Sequence, residues 1–173
     1  TTELVMAHFG TAGDYQLGTN QGLGSGTWAF NPANAMTVYD KFSTFWCRIA
    51  TGGQDKKTIH IIGTYNDDTD PKVKLNGVTN PLVYSMSDDA GGGWNQQSVL
   101  LPGYDSTRYV DGSAENYSMD ANDSIVAIVS SALDGDVTLW KSTNNGTSFT
   151  RTFVDSFIYA PTIDSALVND TVW

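Results

Sequence analysis

One eight-residue pattern occurs twice, and it constrains this chain more than any other feature. Ser87-Asp88-Asp89-Ala90-Gly91-Gly92-Gly93-Trp94 and Ser142-Thr143-Asn144-Asn145-Gly146-Thr147-Ser148-Phe149 both read Ser-x-(Asp/Asn)-x-Gly-x-x-aromatic. Each follows a β-rich run, Leu82-Val83-Tyr84-Ser85 and Val137-Thr138-Leu139-Trp140, and the two lie 55 residues apart. Recurrence at a fixed spacing marks a repeat architecture, whose units bury their apolar faces only against one another. The chemistry of the pattern is local. An Asp or Asn side chain accepts hydrogen bonds from N–H groups of its own turn, and Gly supplies the positive φ that closes it. Ser adds a further bond to the backbone. The aromatic three residues after Gly starts the outgoing strand and folds its ring against the sheet.

These segments resemble the Asp boxes of sialidase-like (BNR-repeat) β-propellers. Ser87, Asp89, Gly91 and Trp94 fill the motif in the first copy, and Ser142, Asn144, Gly146 and Phe149 in the second. The resemblance implies an all-β fold made of propeller blades, each of four antiparallel strands. It places the turn between the third and fourth strands, on the outer part of the blade and away from the active face. The eight residues are then structural.

Composition agrees with an all-β chain. The 19 acidic residues are nearly all Asp, with Glu3 and Glu115 the exceptions, and there are 17 Gly. Asp, Asn, Gly and Ser form turns, whereas Glu, Lys, Leu and Ala would mark helices. Short β-branched and aromatic runs recur at 4–9, 44–49, 58–65, 82–86, 124–130, 137–141 and 150–157. Such runs between turn clusters read as strands of a sandwich, barrel or propeller.

Laying one repeat over the other yields a blade map. The earlier blade takes its strands from 45–50, 58–65, 82–86 and 97–101; the later from 116–120, 124–130, 137–141 and 150–157. Segment 66–81, between the second and third strands of the earlier blade, is longer than its counterpart. Val168-Asn169-Asp170-Thr171-Val172-Trp173 resembles Ala121-Asn122-Asp123-Ser124-Ile125-Val126 and opens a third copy, while Gly26-Thr27-Trp28 stands where a degenerate box would end. The organisation expected is a partial blade at 1–42, blades at 43–112 and 113–160, and the start of another at 161–173. A closed propeller needs about four to eight blades. The 173 residues supply fewer, so the map predicts part of a larger propeller of six to eight blades, closed by its remainder or by a partner chain.

A net charge of −10 and a pI of about 4.2 argue against nucleic acid as a partner, because phosphate binding needs a basic surface. Cys47 is the single cysteine, so no intrachain disulfide forms, and in Phe45-Trp46-Cys47-Arg48-Ile49 it reads as a small buried hydrophobe. No apolar run reaches the length of a membrane span. The resemblance, the acidity and the Asn/Ser/Thr-rich composition point to a secreted or cell-surface setting, in the style of a bacterial surface protein. Sequons stand at Asn116, Asn122, Asn145 and Asn169.

A catalytic reading has to be made residue by residue. Sialidases hold the substrate carboxylate with three arginines, since a guanidinium pairs with it through two parallel hydrogen bonds, and add a Tyr nucleophile assisted by Glu and an Asp acid/base. This chain has three arginines, Arg48, Arg108 and Arg151. The nearest match to the family's Arg-Ile-Pro segment, Arg48-Ile49-Ala50, lacks the proline, and Arg151 directly follows the second box, on the outer strand. Glu115-Asn116-Tyr117 sets a Glu beside a Tyr on an inner strand, a partial match. No catalytic residue is carried over.

Two binding candidates come from the residues themselves. Asn66, Asp68 and Asp70 alternate in the insertion and offer oxygen ligands for calcium, which tolerates irregular loops. The loop lacks the glycine and the downstream Glu of an EF-hand. His8 and His60 stand in strand-like runs without a companion Cys and read as packing or surface residues rather than zinc ligands. Tyr104, Arg108 and Tyr109 lie in a loop expected at one mouth of the propeller, where aromatic faces rimmed by polar groups suit a glycan. The function expected is a non-catalytic propeller module for adhesion or for glycan or protein binding. Two alternatives stand beside it: a fragment of a sialidase-like glycoside hydrolase, and cargo of a bacterial secretion or surface assembly. Large proteins exported by type IX secretion contain such propellers.

Overall fold

The computed structural model describes residues 4–9, 15–20, 29–31, 48–53, 57–64, 74–75, 78–79, 82–89, 99–100, 117–131, 137–155, 167–168 and 171–172. Every regular element among them is a β-strand. In chain order they are β1 (Leu4–Phe9), β2 (Tyr15–Asn20), β3 (Ala29–Asn31), β4 (Arg48–Gly52), β5 (Thr58–Thr64), β6 (Lys74–Leu75), β7 (Val78–Thr79), β8 (Leu82–Ser87), β9 (Val99–Leu100), β10 (Tyr117–Asn122), β11 (Ile125–Ser131), β12 (Val137–Ser142), β13 (Thr150–Asp155), β14 (Leu167–Val168) and β15 (Thr171–Val172).

Within each sheet neighbouring strands pair antiparallel. β1-β2-β3 form a three-stranded sheet, and β4-β5-β8-β9 and β10-β11-β12-β13 each form a four-stranded sheet, here sheet I and sheet II. β14 and β15 close a hairpin across Asn169-Asp170. The long insertion in sheet I carries its own two-stranded ladder, β6 with β7, and leaves β5 and β8 paired directly across it. The extra residues therefore lie outside the four-stranded ladder and do not interrupt it.

The first strands of successive sheets are neighbours: β1 lies beside β4, β4 beside β10, and β10 beside β14. β4 and β10 run the same way. The Arg48 guanidinium, at the start of β4, lies 5.9 Å from the ring centroid of Tyr117, at the start of β10. At the other end the Gly53 N–H donates to the Asp123 carbonyl in the β10–β11 turn. Successive sheets thus stack face to face with their first strands on a common inner side.

Side chains alternate between the faces of a strand, so register assigns each residue to a neighbour. Sheet I turns Ala50, Thr58, His60, Ile62, Leu82, Tyr84 and Met86 toward sheet II. Sheet II answers with Tyr117, Met119, Val126, Ile128 and Trp140. These residues form the core, in which Ile62, Tyr84, Val126, Ile128 and Trp140 are all 0% exposed. Burying each large apolar side chain contributes roughly 1.5–3 kcal/mol before conformational entropy is charged against it. The seam between the sheets is therefore the main source of stability in this part of the chain.

The serines of the two repeated turns fix how one sheet maps onto the other. Ile59 pairs with Ser87 and Val126 pairs with Ser142. Ile59 thus corresponds to Val126, and Thr58 to Ile125, one residue away from the 58-to-124 alignment that the strand starts suggest. The difference matters, because a one-residue slip sends every side chain to the opposite face.

Candidate functional site

The two repeated turns share their first hydrogen bonds. In the first, the Ser87 hydroxyl donates to Asp89 Oδ1 at 2.7 Å and accepts from the Asp89 N–H at 3.4 Å. In the second, Ser142 donates to Asn144 Oδ1 at 2.8 Å and accepts from the Asn144 N–H at 3.3 Å. The second turn continues. Ser142 Oγ also accepts from the Gly146 N–H at 2.9 Å, and Asn144 Oδ1 accepts from the Ser148 N–H at 3.0 Å. Asn144 Nδ2 donates to Ser148 Oγ at 2.9 Å. The reason for Ser and Asn at this spacing is now physical: a buried hydroxyl and one amide side chain together serve four groups of the turn. Asn145 (φ 56°) and Gly146 (φ 82°) take the left-handed conformations that reverse the chain.

This second turn does not stand alone on its own sheet. It closes onto sheet I. Asn145 Nδ2 donates to Thr58 Oγ1 on β5 at 3.0 Å, across the seam. Gly146 lies against Tyr84 so closely that a Cβ there would overlap the phenol oxygen. The Phe149 ring meets the Tyr84 ring edge-on at 4.8 Å. Tyr84 is in turn bonded through its hydroxyl to His60 Nδ1 at 2.6 Å. Gly52 completes the cluster, since a Cβ there would stand 3.1 Å from His60 Nε2 and 3.4 Å from the Asp123 carbonyl.

The cluster is sealed from water. His60 and Tyr84 are both 0% exposed. Burial lowers the His60 pKa from 6.5 to about 4, with the Asn145 side chain, acting as an acceptor, pulling the other way. Burial also pushes the Tyr84 phenol well above its ordinary value. His60 Nε2 and Asn145 Oδ1 are each buried without a hydrogen-bond partner, one on either side of the seam. Ser130 Oγ and Thr138 Oγ1, paired in register on β11 and β12, share that condition.

The two arginines among the described residues, Arg48 and Arg151, lie apart. Arg48 lies over Tyr117 on the inner side, whereas Arg151 is exposed on β13, at the far edge of sheet II. Tyr117, the tyrosine beside Glu115, is 2% exposed and packed in the seam.

Of the residues singled out in the sequence, Ser87, Asp89, Ser142, Asn144, Gly146 and Phe149 lie in the two turns as described. Gly91, Trp94, Tyr104, Arg108, Tyr109, Asn66, Asp68, Asp70 and Glu115 lie outside the described residues. Among the described residues no three His, Cys, Asp or Glu side chains cluster as a metal site, and no helix is long and apolar enough to cross a membrane. Thr58, Tyr84 and Asn145 were not legible as one cluster with His60. One signal was present: Thr58 and His60 alternate with Ile59 and Ile61 on a strand that is buried on both faces. A polar stripe in such a strand needs partners from a neighbouring sheet.

No family model and no curated protein sequence matches this chain. Solved structures do. A point mutant of NanB sialidase from Streptococcus pneumoniae aligns over 92% of this chain with a TM-score of 0.55 at 14% identity. NanB with Optactamide aligns over the same share with a TM-score of 0.52 at 13% identity. The likeness shows the fold: antiparallel sheets similar to the blades of a sialidase propeller. The chain spans 23% of the length of those structures.

Proposed function

We propose that this chain is a non-catalytic propeller module of a secreted or cell-surface protein, with a role in adhesion or in binding a glycan or protein. The observation that carries the reading is the placement of the two described arginines. A carboxylate clamp needs guanidinium groups converging on one point, yet Arg48 faces the Tyr117 ring on the innermost strand and Arg151 is exposed on the outermost. Tyr117, the tyrosine beside Glu115, is enclosed in the seam. The repeated turns, read as Asp boxes, serve packing. Further sheets would continue the stack beyond β14 and β15, over the face of sheet II on which Leu139 is only half-buried.

The test pairs two assays on the whole protein: hydrolysis of a fluorogenic sialoside, and binding to a panel of immobilised glycans and matrix proteins. The expected result is no hydrolysis with saturable binding. Hydrolysis abolished by Arg48→Ala would overturn it. That outcome belongs to a second reading, a piece of a sialidase-like glycoside hydrolase. Its support is that the similar structures are of a sialidase and that Arg48 opens an innermost strand.

A further inference from the structure

We propose that Tyr84, His60, Asn145 and Thr58 form an acid-sensitive latch between sheets I and II, closed only while His60 is neutral and carries its proton on Nε2. The inference rests on the fold alone and holds whichever function the module has.

With the Asn145 amide oriented so that Nδ2 faces Thr58, the donors and acceptors allow one complete arrangement. Asn145 Nδ2 is a donor and is spent on Thr58 Oγ1, at 3.0 Å, which leaves Asn145 Oδ1 as an acceptor. That oxygen is buried without a partner, and so is His60 Nε2 across the seam. An N–H on Nε2 makes the two complementary, and Asn145 is the side chain whose hydrogen bonding acts on His60. With the proton on Nε2, Nδ1 becomes an acceptor, and the Tyr84 hydroxyl at 2.6 Å must donate to it. The chain then runs in one direction: Tyr84 O–H to His60, His60 N–H to Asn145, Asn145 N–H to Thr58. Every member has one role.

A second proton breaks this order. An imidazolium carries N–H on both nitrogens, so Nδ1–H would face the Tyr84 O–H, donor against donor. Tyr84 would have to turn its hydrogen away, on the side where Gly146 presses against the phenol oxygen. The charge would also sit on a ring with no exposed surface. The surrounding groups offer no relief. On β4, Arg48 shares the face of His60 but is drawn over Tyr117, and Gly52 brings only backbone. β8 brings Tyr84 and Met86. At the turns, Lys57 and Asp123 are exposed, and Asp123 presents its carbonyl to Gly53. No described carboxylate pairs with the ring.

The sign follows. A histidine harder to protonate folded than unfolded makes stability fall as the pH drops, because the unfolded chain binds the proton first. The loss begins near the ordinary histidine value of 6.5 and is complete below about 4. Opening the latch frees the turn carrying Asn145 and Gly146 from β5 and β8, so acid loosens the seam at its turn end.

The experiment reads His60 directly. The ¹⁵N shifts of its ring in the whole protein should report an Nε2–H tautomer at neutral pH. Protonation should come only at a proton concentration on the order of 100-fold higher than for a free histidine. An Nδ1–H tautomer, or titration near 6.5, would overturn the proposal. Asn145→Asp supplies a second readout. A carboxylate facing Nε2 stabilises the imidazolium, so His60 should titrate at least tenfold more readily, and the acid-induced fall in the unfolding midpoint should shrink. An unchanged titration in that variant would also sink the latch. Should the variant fail to fold, the tautomer and titration of the unaltered protein decide.

Discussion

Sheets I and II have the same strand order and share the first hydrogen bonds of the turn after their third strand, yet they present different surfaces to the sheet that follows. Sheet I offers Thr58, His60 and Tyr84, which are 4%, 0% and 0% exposed beneath sheet II. The equivalent positions of sheet II are Ile125, Ala127 and Leu139, given the pairing of Ile59 with Ser87 and of Val126 with Ser142. Their backward faces agree better. Ile59, Ile61 and Ser87 correspond to Val126, Ile128 and Ser142, and all six are buried. The repeat therefore fixes the ladder, the turn and an apolar backward face, and leaves the forward face free to vary. The polar cluster belongs to a single seam.

The largest expected effect tests how far the seam carries the stability. Trp140 is fully buried on the face toward sheet I, whereas its neighbour in sequence, Leu139, looks the other way and is half-buried. Trp140→Ala should cost about 3–5 kcal/mol, the range for deleting a large buried aromatic. Leu139→Ala should cost about 1–2 kcal/mol, because less of its surface leaves water. Equal losses in urea unfolding would show that the two faces of sheet II are equally covered in the whole protein, and the contrast drawn here would fall.

Next in size is the contact of Gly146 with Tyr84. Gly146→Ala combines a positive φ with an overlap on the phenol oxygen. It should destabilise by about 3 kcal/mol, from strain at a left-handed position plus overpacking. Tyr84→Phe removes only the oxygen. It should cost about 1–2 kcal/mol by leaving His60 Nδ1 unsatisfied, and it should recover part of the loss when combined with Gly146→Ala. Additive losses in that double mutant would mean the two residues are not in contact.

The fold was legible because its signals are local. A Ser, an Asp or Asn and a Gly at fixed spacing dictate a turn whatever surrounds it, and Thr/Ile/Val runs between such turns dictate strands. The hydrogen bonds of Ser142 and Asn144 close within seven residues of chain. The cluster was illegible for the opposite reason. Asn145 and Thr58 are 87 residues apart, and only the stacking of two sheets makes them neighbours. His60 in isolation reads as a packing residue, which it is. Its proton placement depends on Asn145 and Tyr84 together, and no spacing along the chain encodes that meeting.

The smallest expected effect lies at the outer edge of sheet II. Phe153 and Val154 are each 55% exposed on β13, whose six residues all face solvent to a large degree. Among the described residues β13 pairs only with β12, through a ladder broken by an irregularity between Val137 and Thr138. An irregular, outward edge contributes little to the core, and substitutions at exposed positions usually change stability by less than about 0.5 kcal/mol. Phe153→Ser should therefore leave the urea midpoint almost unmoved, while Trp140→Ala on the adjacent strand collapses it. A loss above about 1 kcal/mol for Phe153→Ser would exceed what an exposed edge position supplies. It would mean that in the whole protein something covers β13, and that sheet II is held from its outer edge as well as through the seam.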